Sequence, residues 1–84
     1  MQTLRFTSNT CVPCKVMAPV VDEMRKLGYD IIDKKLEDED SMELATELGV
    51  MQVPTFIVLD DDGQEVRRQS GAMKFSDFKT FLDG

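Results

Sequence analysis

The spacing of hydrophobic and polar positions changes repeatedly along this chain, and each spacing predicts an element. In residues 3–7, Leu4 and Phe6 alternate with polar neighbours, the two-residue period of a strand. Ser8-Asn9-Thr10 then supplies loop and cap formers, with Thr10 the expected cap of a helix over residues 12–27. Within that helix Val16, Met17, Val20, Val21, Met24 and Leu27 recur at helical spacing. Pro13 is tolerated in a first turn, whereas Pro19 removes an interior hydrogen bond and predicts a kink. Gly28 closes the helix, and residues 29–36, built around Ile31 and Ile32, read as a second strand. Asp40 followed by Glu43 resembles a capping box for a short helix carrying Met42, Leu44, Ala45 and Leu48, ended by Gly49.

The second half is more apolar. Thr55-Phe56-Ile57-Val58-Leu59 is almost continuously hydrophobic, as a central strand buried on both faces is. Asp60-Asp61-Asp62-Gly63 is a turn signal, and residues 65–69 form the return strand of a hairpin. Gly71 breaks the chain before a last helix over residues 76–82, with Phe75, Phe78 and Leu82 on one face and Phe81 beside it. The order βαβαββα is an α/β pattern, one domain spanning residues 1–84 without repeat or linker. Right-handed crossovers predict parallel pairing among the early strands, and the hairpin adds antiparallel strands. The expected fold is a four-stranded mixed sheet flanked by three helices.

Composition narrows the possible functions. A chain that is 42% hydrophobic can build a core despite 31% charged residues, which argues against disorder. Ten basic residues against 16 acidic ones give a net charge of −6, and Lys and Arg are scattered, so nucleic acid is not an expected partner. The acidic runs Glu37-Asp38-Glu39-Asp40 and Asp60-Asp61-Asp62 read as solvated turns, and the latter lacks the spaced ligands of a calcium loop. No apolar run approaches the ~20 residues of a membrane span, and no secretory signal opens the chain. The corresponding expectation is a cytoplasmic monomer.

Two cysteines, Cys11 and Cys14, stand where the first strand hands over to the first helix. A thiolate rather than a thiol attacks a disulfide, and the unpaired amides and positive dipole of a helix start favour the ionised form. Cys14 lies about one turn on, close enough to displace Cys11 from a mixed disulfide. Half of a zinc site is the rival reading, but tetrahedral zinc takes four ligands and the chain has no His and no third Cys. The redox-active group is therefore expected to be the protein's own Cys11–Cys14 pair, with no added cofactor and no metal.

At these residues the sequence resembles the thioredoxin family. Cys11-Val12-Pro13-Cys14-Lys15 followed by Pro19 is similar to that family's active-site helix, Val53-Pro54-Thr55 to its cis-proline loop, and Ser70-Gly71-Ala72 to the segment bordering its substrate groove. The resemblance covers essentially the whole chain and implies the thioredoxin fold. It also implies reduction of protein disulfides, with Cys11 as nucleophile and Cys14 as resolving cysteine. Pro54 would follow a cis bond, and Thr10, Val12, Pro13, Val53, Gly71 and Ala72 would line a groove for disulfide-bearing clients. Electrons would come from a flavoprotein reductase or from glutathione.

The departures are equally specific. Thr10 stands where the family usually has Trp, Val12 where Gly is common, and Arg5 where many members carry a buried Asp. In length the chain resembles glutaredoxins and compact glutaredoxin-like thioredoxins, yet Gly71-Ala72-Met73-Lys74 does not match the glutathione-binding segment of glutaredoxins. Arg5, six residues before Cys11, is a candidate for stabilising its thiolate, with Lys35 nearby in the same role. The alternative for Arg5 is a stem lying on the sheet and a head that reaches water or pairs with Asp33 or Glu37. Lys35, likewise, can be a solvated strand residue.

Overall fold

A computed structural model describes residues 1–84. The elements are β1 (Gln2–Thr7), α1 (Val12–Lys26), β2 (Ile31–Lys35), α2 (Glu39–Glu47), β3 (Thr55–Leu59), β4 (Glu65–Ser70) and α3 (Phe75–Asp83). The strands form one four-stranded mixed sheet in the order β2-β1-β3-β4, and the three helices cover its two faces.

Alternation along β3 accounts for that layering. Phe56 and Val58 point to the face covered by α1 and α3, where they join Met17, Val21, Met24, Phe78 and Leu82. Ile57 points the other way, with Leu4 and Phe6 of β1 against Ala45 of α2. A continuously apolar strand is what two covered faces require. On β1 the same alternation turns Thr3, Arg5 and Thr7 away from Leu4 and Phe6, and all three are buried.

Sheet pairing corrects the expectation of parallel early strands. β1 and β2 are parallel, but β3 lies antiparallel to β1, with Phe6 opposite Thr55. The reason is where the second connection ends. α2 has only nine residues, about 14 Å of helix, and residues 48–54 return the chain to the end of the sheet from which it left. β3 therefore enters beside the end of β1 and runs back along it. β4 completes the expected hairpin.

Helix ends also differ from expectation. Cys11, not Thr10, is the cap of α1. α2 starts after Asp38, two residues earlier than an Asp40 cap allows, and no side chain caps it. α1 runs through Pro19 to Lys26 without a break. Its buried stripe is Cys14, Met17, Val21 and Met24, a narrow i, i+3, i+4 face that leaves Val16 and Leu27 in solvent. Phe75 opens α3 at 42% exposure, so it is not part of the core face that Phe78, Phe81 and Leu82 form. Arg67 of β4 donates to the carbonyls of Phe81 and Leu82 at 2.6 and 2.7 Å, satisfying acceptors that the end of a helix leaves unpaired.

Phe78 is fully buried with its ring 4.8 Å from that of Phe56. Phe78→Ala is expected to lower the unfolding free energy by about 3–5 kcal/mol. Phe75→Ala is expected to change it by less than about 1 kcal/mol. Urea denaturation of the two variants measures both.

Candidate active site

The connection from β1 to α1 is short and braced. Ser8 Oγ and the Asn9 amide both donate to Glu37 Oε2, at 3.0 and 3.1 Å, and the Ser8 and Thr10 hydroxyls lie 3.2 Å apart. The Cys11 amide donates to the Ser8 carbonyl. The Asn9 amide, followed by the Ser8 hydroxyl, holds the Glu37 carboxyl below the usual glutamate range.

Cys11 caps α1 with extended backbone, and its Sγ accepts from the Cys14 amide at 3.1 Å. Pro13 sits in the first turn, where its missing N–H costs nothing, and no acidic side chain stands there to oppose a negative sulfur. Cys11 and Cys14 are joined by a disulfide across a Cα–Cα distance of 5.2 Å. Of the two, Cys11 is the more accessible, 8% exposed against 1% for Cys14. Val12, at 67%, stands out into solvent beside it, as do Thr10 and Pro13. An external thiolate that attacks Cys11 of such a disulfide forms a mixed disulfide there and releases Cys14, and a second thiolate then displaces the first to leave the Cys11 sulfur free as a nucleophile.

Two further segments leave the sheet at the same end. Thr55 pairs with Phe6 on one side and Ser70 on the other, so Pro54 and Gly71 stand just past the end of the sheet at which β1 leads to Cys11. The Val53–Pro54 peptide is cis. Gly71 donates its amide to the Pro54 carbonyl at 2.8 Å, and Thr55 Oγ1 contacts both the Gln52 carbonyl and Ser70 Oγ. Gly71 has φ +94°, a left-handed conformation that disfavours any residue with a Cβ. Beyond it Ala72 is exposed, and the Met73 amide reaches Met17 Sδ at 3.3 Å, tying this segment to α1. No hydrogen bond joins the Val53–Pro54 loop to the cysteines, and the backbone N–H and C=O of Val53 have no partner within the chain.

Arg5 lies on the β1 face beneath α1, 7% exposed. Its Nη2 donates to the Cys14 carbonyl at 2.8 Å and its Nη1 to Asp33 Oδ1 at 3.2 Å. Of the two partners weighed from sequence it takes Asp33, while Glu37 is engaged by Ser8 and Asn9. Its side chain is only 9% exposed. Lys35 is exposed and makes no ion pair, but it lines the same cleft as Arg5, Cys14, Lys15 and Asp33. The bracing role of Glu37 and the Gly71–Pro54 bond were not visible in the sequence, because both depend on strand register. No group of three or more His, Cys, Asp or Glu is placed to hold a metal ion, and no helix is long and apolar enough to cross a membrane.

The thioredoxin family model matches residues 2–84. The chain is 46% identical over 63 residues to a chloroplastic thioredoxin F from Oryza sativa, a match covering 74% of this chain and 33% of that protein. Among solved structures, a thioredoxin from Nicotiana alata superposes with a TM-score of 0.82 at 32% identity, over 96% of this chain and 70% of the other. A mutant thioredoxin from Halobacterium salinarum superposes at 0.86 and 23% identity, over 96% and 70%, a likeness of fold alone. The chain spans about a third of the rice protein's length and less than two thirds of the other plant and Bacillus subtilis thioredoxins it resembles.

Because the folded carboxyl of Glu37 is depressed, its brace on the loop is complete above the ordinary glutamate value of 4.5 and is lost as pH falls through the lower folded value. The Asn9 amide resonance is expected to titrate with a midpoint below 4.5, and Glu37→Gln to abolish that titration. An NMR pH series on the two proteins reads both outcomes.

Proposed function

The chain belongs to the thioredoxin family, and from that premise we propose that it reduces disulfides in client proteins through Cys11 and Cys14. The observation that carries this reading is the disulfide at the start of α1, with Cys11 the more exposed of its two residues. In the reduced protein the Cys11 thiolate attacks one sulfur of a client disulfide. That S–S bond breaks, and the departing client thiolate takes a proton. Cys14, as thiolate, then attacks Cys11 Sγ, releases the second client thiol and closes the Cys11–Cys14 bond. The client gains two electrons and two protons, and the protein loses them.

On this reading the client segment lies between Thr10, Val12 and Pro13 on one side and Val53, Gly71 and Ala72 on the other, over the buried Pro54. The unpartnered backbone groups of Val53 support pairing with an extended client segment. The pair is returned to the dithiol by a flavoprotein reductase or by glutathione, in a reducing compartment such as the cytoplasm. The match to thioredoxins supports the reductase as donor.

Cys14→Ser is expected to accumulate a stable mixed disulfide with insulin or another disulfide-bearing protein, because the resolving thiol is gone. Cys11→Ser is expected to form none. Non-reducing electrophoresis distinguishes them. Equal behaviour of both variants and the native protein would overturn the enzymatic reading in favour of a binding module. In glutathione and dithiothreitol buffers the native pair is expected to show one reversible two-electron couple near the thioredoxin value of about −270 mV. A midpoint between about −200 and −230 mV favours glutaredoxin-like chemistry instead.

A further inference from the structure

Arg5 is the one charged side chain in the buried interior. A guanidinium away from water is tolerated only when paired and hydrogen-bonded, and here the pairing is incomplete. Asp33 Oδ1 takes Arg5 Nη1 at 3.2 Å but also takes Arg25 Nη2 at 3.1 Å, so one carboxylate oxygen serves two guanidiniums. The second partner of Arg5 is neutral, the carbonyl of Cys14, and its Nε has none. The cleft behind Cys14, about 180 Å³, is lined by Arg5, Lys15 and Lys35 against a single carboxylate, Asp33. Arg25 approaches Asp33 from α1, and Asp22 pairs in turn with Arg25 at 3.7 Å. Glu37, the next carboxylate along, is engaged by Ser8 and Asn9. No ionisable group faces Arg5 from β3, which contains none. In a chain of net charge −6 the ground beneath the cysteines is locally positive.

We propose that Arg5, clamped to the Cys14 carbonyl and only partly neutralised by Asp33, is a positioning residue that favours the thiolate of the reduced Cys11/Cys14 pair. It thereby sets the dithiol–disulfide equilibrium. This rests on the reading that the pair cycles between the two states. Two electrons and two protons, from a thiol reductant, convert the disulfide to the dithiol. Above the first thiol pKa one of those protons passes to solvent. Arg5 stabilises only the thiolate that remains, and it does so at every accessible pH because a guanidinium does not lose its proton. Favouring the thiolate favours the reduced form, so the couple is less reducing than it would be without the charge.

Redox titration of the full chain against glutathione buffers over a range of pH tests this, with Arg5→Met, Arg5→Lys and Asp33→Asn beside the native protein. Above the first thiol pKa, Arg5→Met is expected to shift the equilibrium about tenfold toward the disulfide, a midpoint about 30 mV more negative. That gap closes at pH well below the thiol pKa, where both proteins hold uncharged thiols. Arg5→Lys, which keeps the charge, stays near the native value. Asp33→Asn, which removes the counter-charge, moves the equilibrium the opposite way, and it carries the test if Arg5→Met does not fold. An unchanged midpoint in Arg5→Met, a gap independent of pH, or shifts of the same sign in Arg5→Met and Asp33→Asn would each overturn the proposal. A native protein with no reversible couple would instead remove the reading on which it rests.

Discussion

The antiparallel pairing of β1 with β3 is the constraint on which the site depends. Phe6 stands opposite Thr55 and Thr55 opposite Ser70, so three loops emerge side by side at one end of the sheet. One leads to Cys11, one ends in the cis Val53–Pro54 bond, and one begins at Gly71. Shifting a strand by one residue would exchange its two faces. For β1 that exchange would bring Leu4 and Phe6 under α1 and drive Arg5 against the apolar residues of α2. Core packing on both sides therefore holds the register, and the register holds the loops. Local bonds only finish the placement: Gly71 to Pro54, Thr55 to Gln52 and Ser70, Met73 to Met17.

How much of this could be read in the sequence follows from how local each determinant is. The seven elements, the buried character of β3 and the meaning of the CxxC spacing depend on short windows and were legible. Cap positions were less so. Cys is not among the usual capping residues, so its sulfur reads as chemistry rather than as the cap it also is. In Glu37-Asp38-Glu39-Asp40 several neighbours have capping side chains, and the start of α2 cannot be chosen from composition. The direction of β3 depends on where residues 48–54 deliver the chain, which no periodicity records. Alternation in β1 marks Leu4 and Phe6 as inward, yet a strand between two neighbours and under helices on both sides has no outward face. That is why Arg5 is buried although its polar character suggests otherwise.

The burial of Arg5 carries a desolvation cost. Replacing buried ion pairs by apolar residues of similar volume is often neutral or stabilising, so such a pair is weak evidence for stability. Arg5 has less than a full pair, because Asp33 is shared with Arg25 and its side chain is 35% exposed. In a domain of this size the margin of stability is narrow. What the guanidinium does supply is a permanent positive charge one hydrogen bond from the backbone of the second cysteine. The Cys14 amide at the helix start donates to Cys11 Sγ, and Arg5 donates from beneath to the Cys14 carbonyl. A single peptide residue thus makes both bonds. In the proposal above, a thiolate formed there is stabilised by dipole and charge together, within a protein whose overall charge of −6 would oppose it.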